Sequence, residues 1–369
     1  MDVAVDASRV TVARRTGTER YALELLRALL ARDTVNRYRL YFRDTLPAEL
    51  LPAGPQITTC VIPWPRLWTH TRFAAALWAS RPDVTFVPAH TLPFAFPGPA
   101  IVTIHDLGYR FFPEAHTGWS RRYLEWSTRH SARRATIVLA DSEATRRDLT
   151  VLYGIPAEKV RVVYPGVDER LAPVTDGATL AAVRTRYGLP DRYLLFVGTL
   201  QPRKNIQRLV QAYAVAELHQ RGIGLVLAGG RGWLYNPAWT AGVPGVVETG
   251  YVADDDLAAL YSGAEALVFP SLYEGFGFPV LEAMHCGTPV MASCTSSLPE
   301  LAGEAALLVD PLDVTAMAAT MLRLTSDRAL RVRLIAAGRA QAARFTWDRA
   351  ADAVLAVLVE AAEAGRRGR

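Results

Sequence analysis

Cysteine is scarce here, with only Cys60, Cys286 and Cys294 in 369 residues. An odd count without metal-type spacing argues against a disulfide framework and against a structural zinc site. The seven histidines are scattered and show no metal-ligand spacing. Long apolar runs are also missing; stretches such as Ala353–Val359 fall far short of the ~20 residues that a membrane span needs. The N-terminus opens with Asp2 and Asp6 and has neither a basic flank nor an apolar core. No secretion signal is therefore expected, and the chain reads as cytoplasmic. There is no P-loop and no Gly-x-Ser-x-Gly elbow, and Ala228-Gly-Gly-Arg-Gly232 fails the dinucleotide fingerprint. The 26 glycines and 23 prolines are spread along the chain, so no low-complexity linker interrupts it.

What is present is ordinary globular composition, 50% hydrophobic and 21% charged, over a length that suits about two domains at ~150 residues each. The net charge of +5 is unevenly placed. Up to Arg170 there are 23 Lys and Arg against 17 Asp and Glu, and after it 18 against 19. The first half therefore favours an anionic partner or surface.

Short β-branched or apolar runs alternate with helical patterns from end to end, seven up to Val163 and six from Tyr193 to Val309. Such alternation predicts parallel sheets covered on both faces, an α/β fold of two doubly wound, Rossmann-like domains. The Pro- and Gly-containing stretch Tyr164–Asp191 marks the boundary. The expected domains are 1–175, joined by the last helix over 347–369, and 190–346. Ligands of such sheets bind beyond the carboxyl ends of the strands, so a cleft between two rows of strand ends is the expected active site.

Several chemistry-bearing residues fall at those ends. After a strand ending near Phe269, a loop carries Glu274, Gly275, Phe276 and Gly277, and Pro279 is expected to open a helix that holds Leu281 and Glu282. Ionised carboxylates only accept hydrogen bonds, which suits the hydroxyl pairs of a sugar, and the loop N–H groups and helix dipole suit a phosphate. The plain alternative makes Glu282 a first-turn acid and Glu274 a loop residue. Another strand ends at Gly198, and Arg203 and Lys204 precede a helix whose dipole they oppose. A diphosphate would account for them, as against two solvated bases. In the first half, Arg14-Arg-Thr-Gly-Thr-Glu-Arg-Tyr21 opens a helix that Thr16 or Thr18 is expected to cap, and Gly17 allows a close backbone approach. His105 follows Val102-Thr-Ile104, and Ser142 caps a helix start at Glu143. Asp254-Asp255-Asp256 reads as first-turn acids rather than a metal pattern.

The run Glu274-Gly-Phe-Gly-Phe-Pro-Val-Leu-Glu282 resembles the donor-site motif of retaining glycosyltransferases of family 4, which have the GT-B fold. Gly198-Thr-Leu-Gln-Pro-Arg-Lys-Asn205, Thr16-Gly-Thr-Glu-Arg-Tyr21, Cys286-Gly-Thr-Pro-Val290, Ser296-Ser-Leu-Pro-Glu-Leu-Ala-Gly303 and Phe345-Thr-Trp347 are similar to that family as well. The resemblance implies that Glu274 binds donor-sugar hydroxyls, with N–H groups offered by Gly275, Phe276 and Gly277. It implies that Glu282 takes the ribose diol beside Leu281, that Arg203 and Lys204 hold the diphosphate near Gly198, and that Tyr251 and Val252 border the base. Gly17 would approach the diphosphate from the other domain, and His105 would sit beside the transferred sugar. Thr199 departs from the pattern, because many members carry arginine after that glycine.

The activity so implied is transfer of a hexose, mannose from GDP-mannose first, to a polysaccharide, glycolipid or other glycan, without metal or resident cofactor. UDP-glucose or UDP-N-acetylglucosamine is the alternative donor, and a GT-B sugar-nucleotide epimerase the alternative enzyme. No nucleic acid is expected as partner, since no nucleic-acid module is present. The basic, aromatic stretch from Trp119 to Arg134, with Pro63-Trp-Pro-Arg-Leu-Trp68 upstream, allows a peripheral contact with a lipid-linked acceptor at the inner membrane face. The plain alternative is a solvated helix.

Overall fold

The computed structural model describes residues 1–12, 17–47, 49–115 and 117–367. It divides into two compact units, one of residues 1–166 and 346–369 and the other of residues 167–345.

The first unit is built on seven strands: β1 (Asp2–Asp6), β2 (Arg37–Phe42), β3 (Ile57–Val61), β4 (Val84–Val87), β5 (Ala100–Ile104), β6 (Ile137–Ala140) and β7 (Val160–Val162). All pair in parallel in the order β3-β2-β1-β4-β5-β6-β7. Every residue of β4, β5 and β6 is buried, as continuous apolar runs require when helices cover both faces. The helix Gly17–Arg32 buries Tyr21, Leu23, Leu25, Leu26 and Leu29. Against it lies the final helix, Trp347–Arg367, held at its rim by Arg32, which pairs with Asp348 and Asp352. These exposed ion pairs contribute little; the buried alanines, valines and leucines of that helix do more.

The second unit carries β8 (Arg192–Val197), β9 (Ile223–Ala228), β10 (Val246–Gly250), β11 (Ala266–Phe269), β12 (Val290–Ser293) and β13 (Leu307–Val309). They form a parallel sheet in the order β10-β9-β8-β11-β12-β13. Both sheets reverse their winding direction once, between β1 and β4 and between β8 and β11. Open sheets of this kind bind ligands outside the carboxyl ends of the strands at that reversal.

The Pro- and Gly-rich stretch from Tyr164 to Asp191 is not only a connection. It contains the helix Gly177–Tyr187, capped by the Asp176 side chain and closed by left-handed Gly188. That helix packs on the helix Asp254–Ser262 through Arg186 and Tyr187, both of which bond Asp256.

Candidate functional site

In the second unit the reversal point is occupied by a buried ion cluster. Lys204 Nζ donates to Glu274 Oε1 at 2.5 Å, and Arg203 donates to Glu274 Oε2 at 2.9 Å and to the Tyr273 carbonyl at 2.6 Å. The two loops that follow β8 and β11 are joined at other points too. Leu272 N–H donates to the Arg203 carbonyl, and Asn205 Nδ2 donates to the carbonyls of Pro270 and Pro311. A short 3₁₀ turn, Pro202–Lys204, lies between β8 and the helix Ile206–Val215, so the two bases stand before the helix start. The sequence favours a diphosphate over two solvated bases for them, because cations oppose the dipole. A nearer reason for their placement is the Glu274 carboxylate.

Burial alone would raise the Glu274 carboxyl. The charges of Arg203 and then Lys204, with the hydrogen bond from Lys204, outweigh it and hold the group down to about 2. Glu274 is therefore ionised throughout the neutral range.

The loop Glu274–Gly277 then enters the helix Phe278–His285, which begins one residue before the expected Pro279 and places that proline in its first turn. Gly277 has φ +117°, and a Cβ there would lie 2.6 Å from Leu298 Cδ2, so glycine is required on two counts. Glu282 is buried and its Oε2 accepts from the Tyr261 hydroxyl at 2.7 Å. Leu281 is fully buried in the core. Gly198 has φ +146°, and it is the facing Gly229 that lets β8 and β9 end side by side, since a Cβ on it would lie 2.1 Å from the Gly198 carbonyl oxygen. Of the pair expected at the base, Tyr251 is exposed and Val252 is buried.

In the first unit, His105 follows β5 and Asp141 follows β6, its neighbour in the sheet. The imidazole Nδ1 lies 2.6 Å from Asp141 Oδ2, and Nε2 lies 3.4 Å from the Pro88 carbonyl. A carboxylate and a carbonyl are both acceptors, which favours the doubly protonated, cationic ring. Burial opposes that state, but the charge and hydrogen bond of Asp141, the charge of Asp106 and the Pro88 carbonyl outweigh it and raise the His105 pKa. The Tyr21 ring meets the imidazole edge-on at 4.7 Å, and its hydroxyl pairs with Thr103. The backbone N–H of His105 donates to His90 Nε2, and burial pushes His90 down to about 3, so His90 is the neutral member of the pair.

Gly17 is exposed at the first position of its helix, and Thr18 lies inside that helix rather than capping it. Arg14, Arg15 and Thr16 lie outside the described residues. Ser142 does cap its helix, accepting from Thr145 N–H. Three contributors escaped sequence reasoning. Asp141 was hidden beside an evident cap, and Ser296 and Ser297 sat in a flank noted only for its resemblance. Ser296 Oγ accepts from Glu274 N–H, while Ser297 Oγ donates to the carbonyls of Glu274 and Phe276. Among the described residues, no three His, Cys, Asp or Glu side chains gather closely enough to hold a metal ion.

Comparison with known proteins adds to this geometry. Residues 184–341 match the family described as glycosyl transferases group 1, and residues 15–171 match glycosyltransferase family 4. The chain is 33% identical over 355 residues to O-antigen chain mannosyltransferase B of Escherichia coli, covering 90% of this chain and 93% of that one. To a serotype-specific mannosyltransferase of Escherichia coli it is 29% identical across 91% of its own length, spanning 44% of that longer protein. Among solved structures, a sucrose-phosphate synthase from Thermosynechococcus elongatus superposes with a TM-score of 0.75 at 24% identity, over 97% of this chain and 98% of that one. HepE from Anabaena, in complex with UDP-glucose, does so at 0.72 and 18% identity, over 97% and 99%. These likenesses show the GT-B fold.

Proposed function

Because the chain belongs to glycosyltransferase family 4, we propose that it moves a hexose, mannose from GDP-mannose, onto a glycan acceptor with retention of configuration. The observation that carries this reading is the Arg203–Lys204–Glu274 cluster at the strand reversal of the second unit. It brings two cations and a carboxylate ionised at neutral pH beside the glycine loop and the start of the helix Phe278–His285. Similarity to mannosyltransferases supports the choice of sugar.

Breaking the bond between the anomeric carbon and the diphosphate oxygen sends the electron pair to the leaving nucleotide and builds positive charge on the sugar. Arg203 and Lys204 are suited to stabilise the departing diphosphate together with the loop N–H groups of Gly275, Phe276 and Gly277, without a metal ion. Glu274 then exchanges part of its ion pairing for sugar hydroxyls as the phosphates take up the cations. Glu282 accepts from the ribose diol. In the first unit, His105, held by Asp141 through Nδ1, has its Nε2 suited to a hydrogen bond with a sugar hydroxyl in place of the long contact with Pro88. The acceptor hydroxyl attacks the face from which the diphosphate leaves, and its proton passes to the departing phosphate oxygen. A new C–O bond thus replaces the old one on the same face.

The test is a thermal-shift screen against GDP, UDP, ADP and their sugar conjugates, with and without EDTA. A ligand that binds only the folded state raises Tm by mass action. A shift with GDP and GDP-mannose that survives EDTA is the expected result. A shift confined to uridine nucleotides would replace the donor, no shift at all would remove the donor site, and an inverted linkage in the product would sink the same-face mechanism.

A further inference from the structure

The helix Gly118–Arg134 of the first unit is built inside out. Its buried face is Ser127, Thr128, Ser131 and Ala132, while its rings face outward: Trp119 is 83% exposed, Trp126 48% and Tyr123 45%. A helix that covers a core normally does the reverse. Neighbouring rings continue the surface. Phe94, 47% exposed, packs edge-on to Trp126 and stacks on His70, and His70 bonds the Tyr123 hydroxyl at 3.0 Å. Trp126 in turn stacks on His130 one helical turn later.

The same helix carries five arginines, Arg121, Arg122, Arg129, Arg133 and Arg134, and one acid, Glu125, which is taken by Arg110. Among the described residues none of the five meets a carboxylate. Arg134 lies over the Phe96 ring and Arg129 over the Tyr153 ring. Elsewhere in this unit Arg32, Arg37 and Arg146 sit against acids, so the bare arginines are a local feature. Burial and the charge of Arg134 lower the pKa of Lys159, which donates to the Arg133 carbonyl. Trp126, Arg129, His130, Arg133 and Arg134 together line an open hollow of about 330 Å³.

We propose that this helix is a docking surface for an anionic phospholipid bilayer, with the Trp126–Arg134 hollow receiving a headgroup phosphate. Guanidinium groups recognise phosphate by paired N–H donors, and crowded cations without acids gain most from an anionic surface. Indole and phenol rings settle at the depth of the headgroups, where one end is apolar and the other wet. A soluble polyanion would use the arginines but would leave Trp119 and Tyr123 in water, and that decides between the two. The hollow lies on a helix flank and not at the strand ends, so this docking does not depend on the proposed reaction.

The experiment is co-sedimentation of the full chain with vesicles of phosphatidylcholine alone or mixed with phosphatidylglycerol, at low and high salt. Binding to the mixed vesicles that weakens with salt is expected. At roughly fivefold per charge removed, R129A/R133A weakens it about twenty-five-fold, and W119A/W126A weakens it at any salt. Both variants keep the Tm of the parent and its response to donor nucleotide, which separates this loss from misfolding and from failure of the donor reading. Equal sedimentation with neutral vesicles, or unchanged binding by either variant, overturns the proposal. Heparin binding that needs the arginines but not the tryptophans, without vesicle binding, replaces the bilayer by a soluble polyanion.

Discussion

The Nδ1 atom of His105 and Oδ2 of Asp141 stand 2.6 Å apart, from residues that follow adjacent strands and are 36 positions apart in the chain. Two buried groups that would each be costly alone favour each other's charged form. Both pKa values lie above their ordinary positions, Asp141 because burial raises it and His105 because Asp141 more than offsets burial. Raised values mean that the folded state binds more protons. The stability that His105 contributes is therefore complete below its unfolded value of 6.5 and is lost as pH rises through the folded value. In D141N both contributions of Asp141 are lost, burial is opposed only by the charge of Asp106 and the Pro88 carbonyl, and the His105 pKa falls from its value in the parent. Imidazole NMR titration of parent and variant checks this. A His105 that titrates alike in both would show that the pair has no electrostatic coupling.

Glu274 works with the opposite sign. Its folded pKa, about 2, lies below the ordinary 4.5, so its contribution is present above 4.5 and is lost as pH falls from there towards 2. The shift corresponds to about 3 kcal/mol at neutral pH. E274Q is expected to lower stability by that order at pH 7 and to flatten the acid limb of a urea-denaturation series. Because Arg203 and Lys204 lose their carboxylate, nucleoside diphosphate binds E274Q at least as tightly as the parent, while transfer is lost. Calorimetry beside a transfer assay reads both; weaker nucleotide binding would mean that Glu274 orients the cations and does not compete for them.

Much of this was legible beforehand. The central strands are legible because a strand buried on both faces is a short continuous apolar run, as Ile101-Val-Thr-Ile104 and Leu194-Leu-Phe-Val197 show, whereas the edge strands β3 and β10 bury no residue fully and are read from their β-branched residues. The helix Gly177–Tyr187 was not legible, since only Val183 in it is buried and no apolar face announces it. Its closing Gly188 reads as one of the breakers of a linker. The donor-loop carboxylates and bases were found one motif at a time. Their union in one cluster was not, because Lys204 and Glu274 are 70 positions apart and meet only through the pairing of β8 with β11. Asp141 was missed for the same reason.

Gly277 is predicted to be intolerant in two separable ways. G277A meets both a left-handed φ of +117° and a 2.6 Å contact with Leu298. Backbone strain of this kind costs on the order of 1–3 kcal/mol, and overpacking adds a similar amount. Shortening the partner relieves only the second term. Urea denaturation of G277A, L298A and the double variant should therefore show partial coupling, with G277A/L298A destabilised by less than the sum. Strict additivity would mean that the methyl group finds room without Leu298 moving.

Ser297 supports the donor loop from below. Its hydroxyl donates to the carbonyls of Glu274 and Phe276, on either side of Gly275, and is fully buried. S297A leaves both carbonyls without this donor at a cost of about 1–3 kcal/mol. The conformation lost is that of the N–H groups assigned to the donor sugar and phosphate, so the effect should exceed a stability change. S297A is expected to lower kcat at saturating donor, and S297T, which keeps the hydroxyl, to recover part of it. Steady-state kinetics well below the Tm of each variant measure this. If S297A loses stability but transfers at the parent rate, the loop holds its shape through Ser296 and the helix Phe278–His285, and the Ser297 contacts serve folding alone.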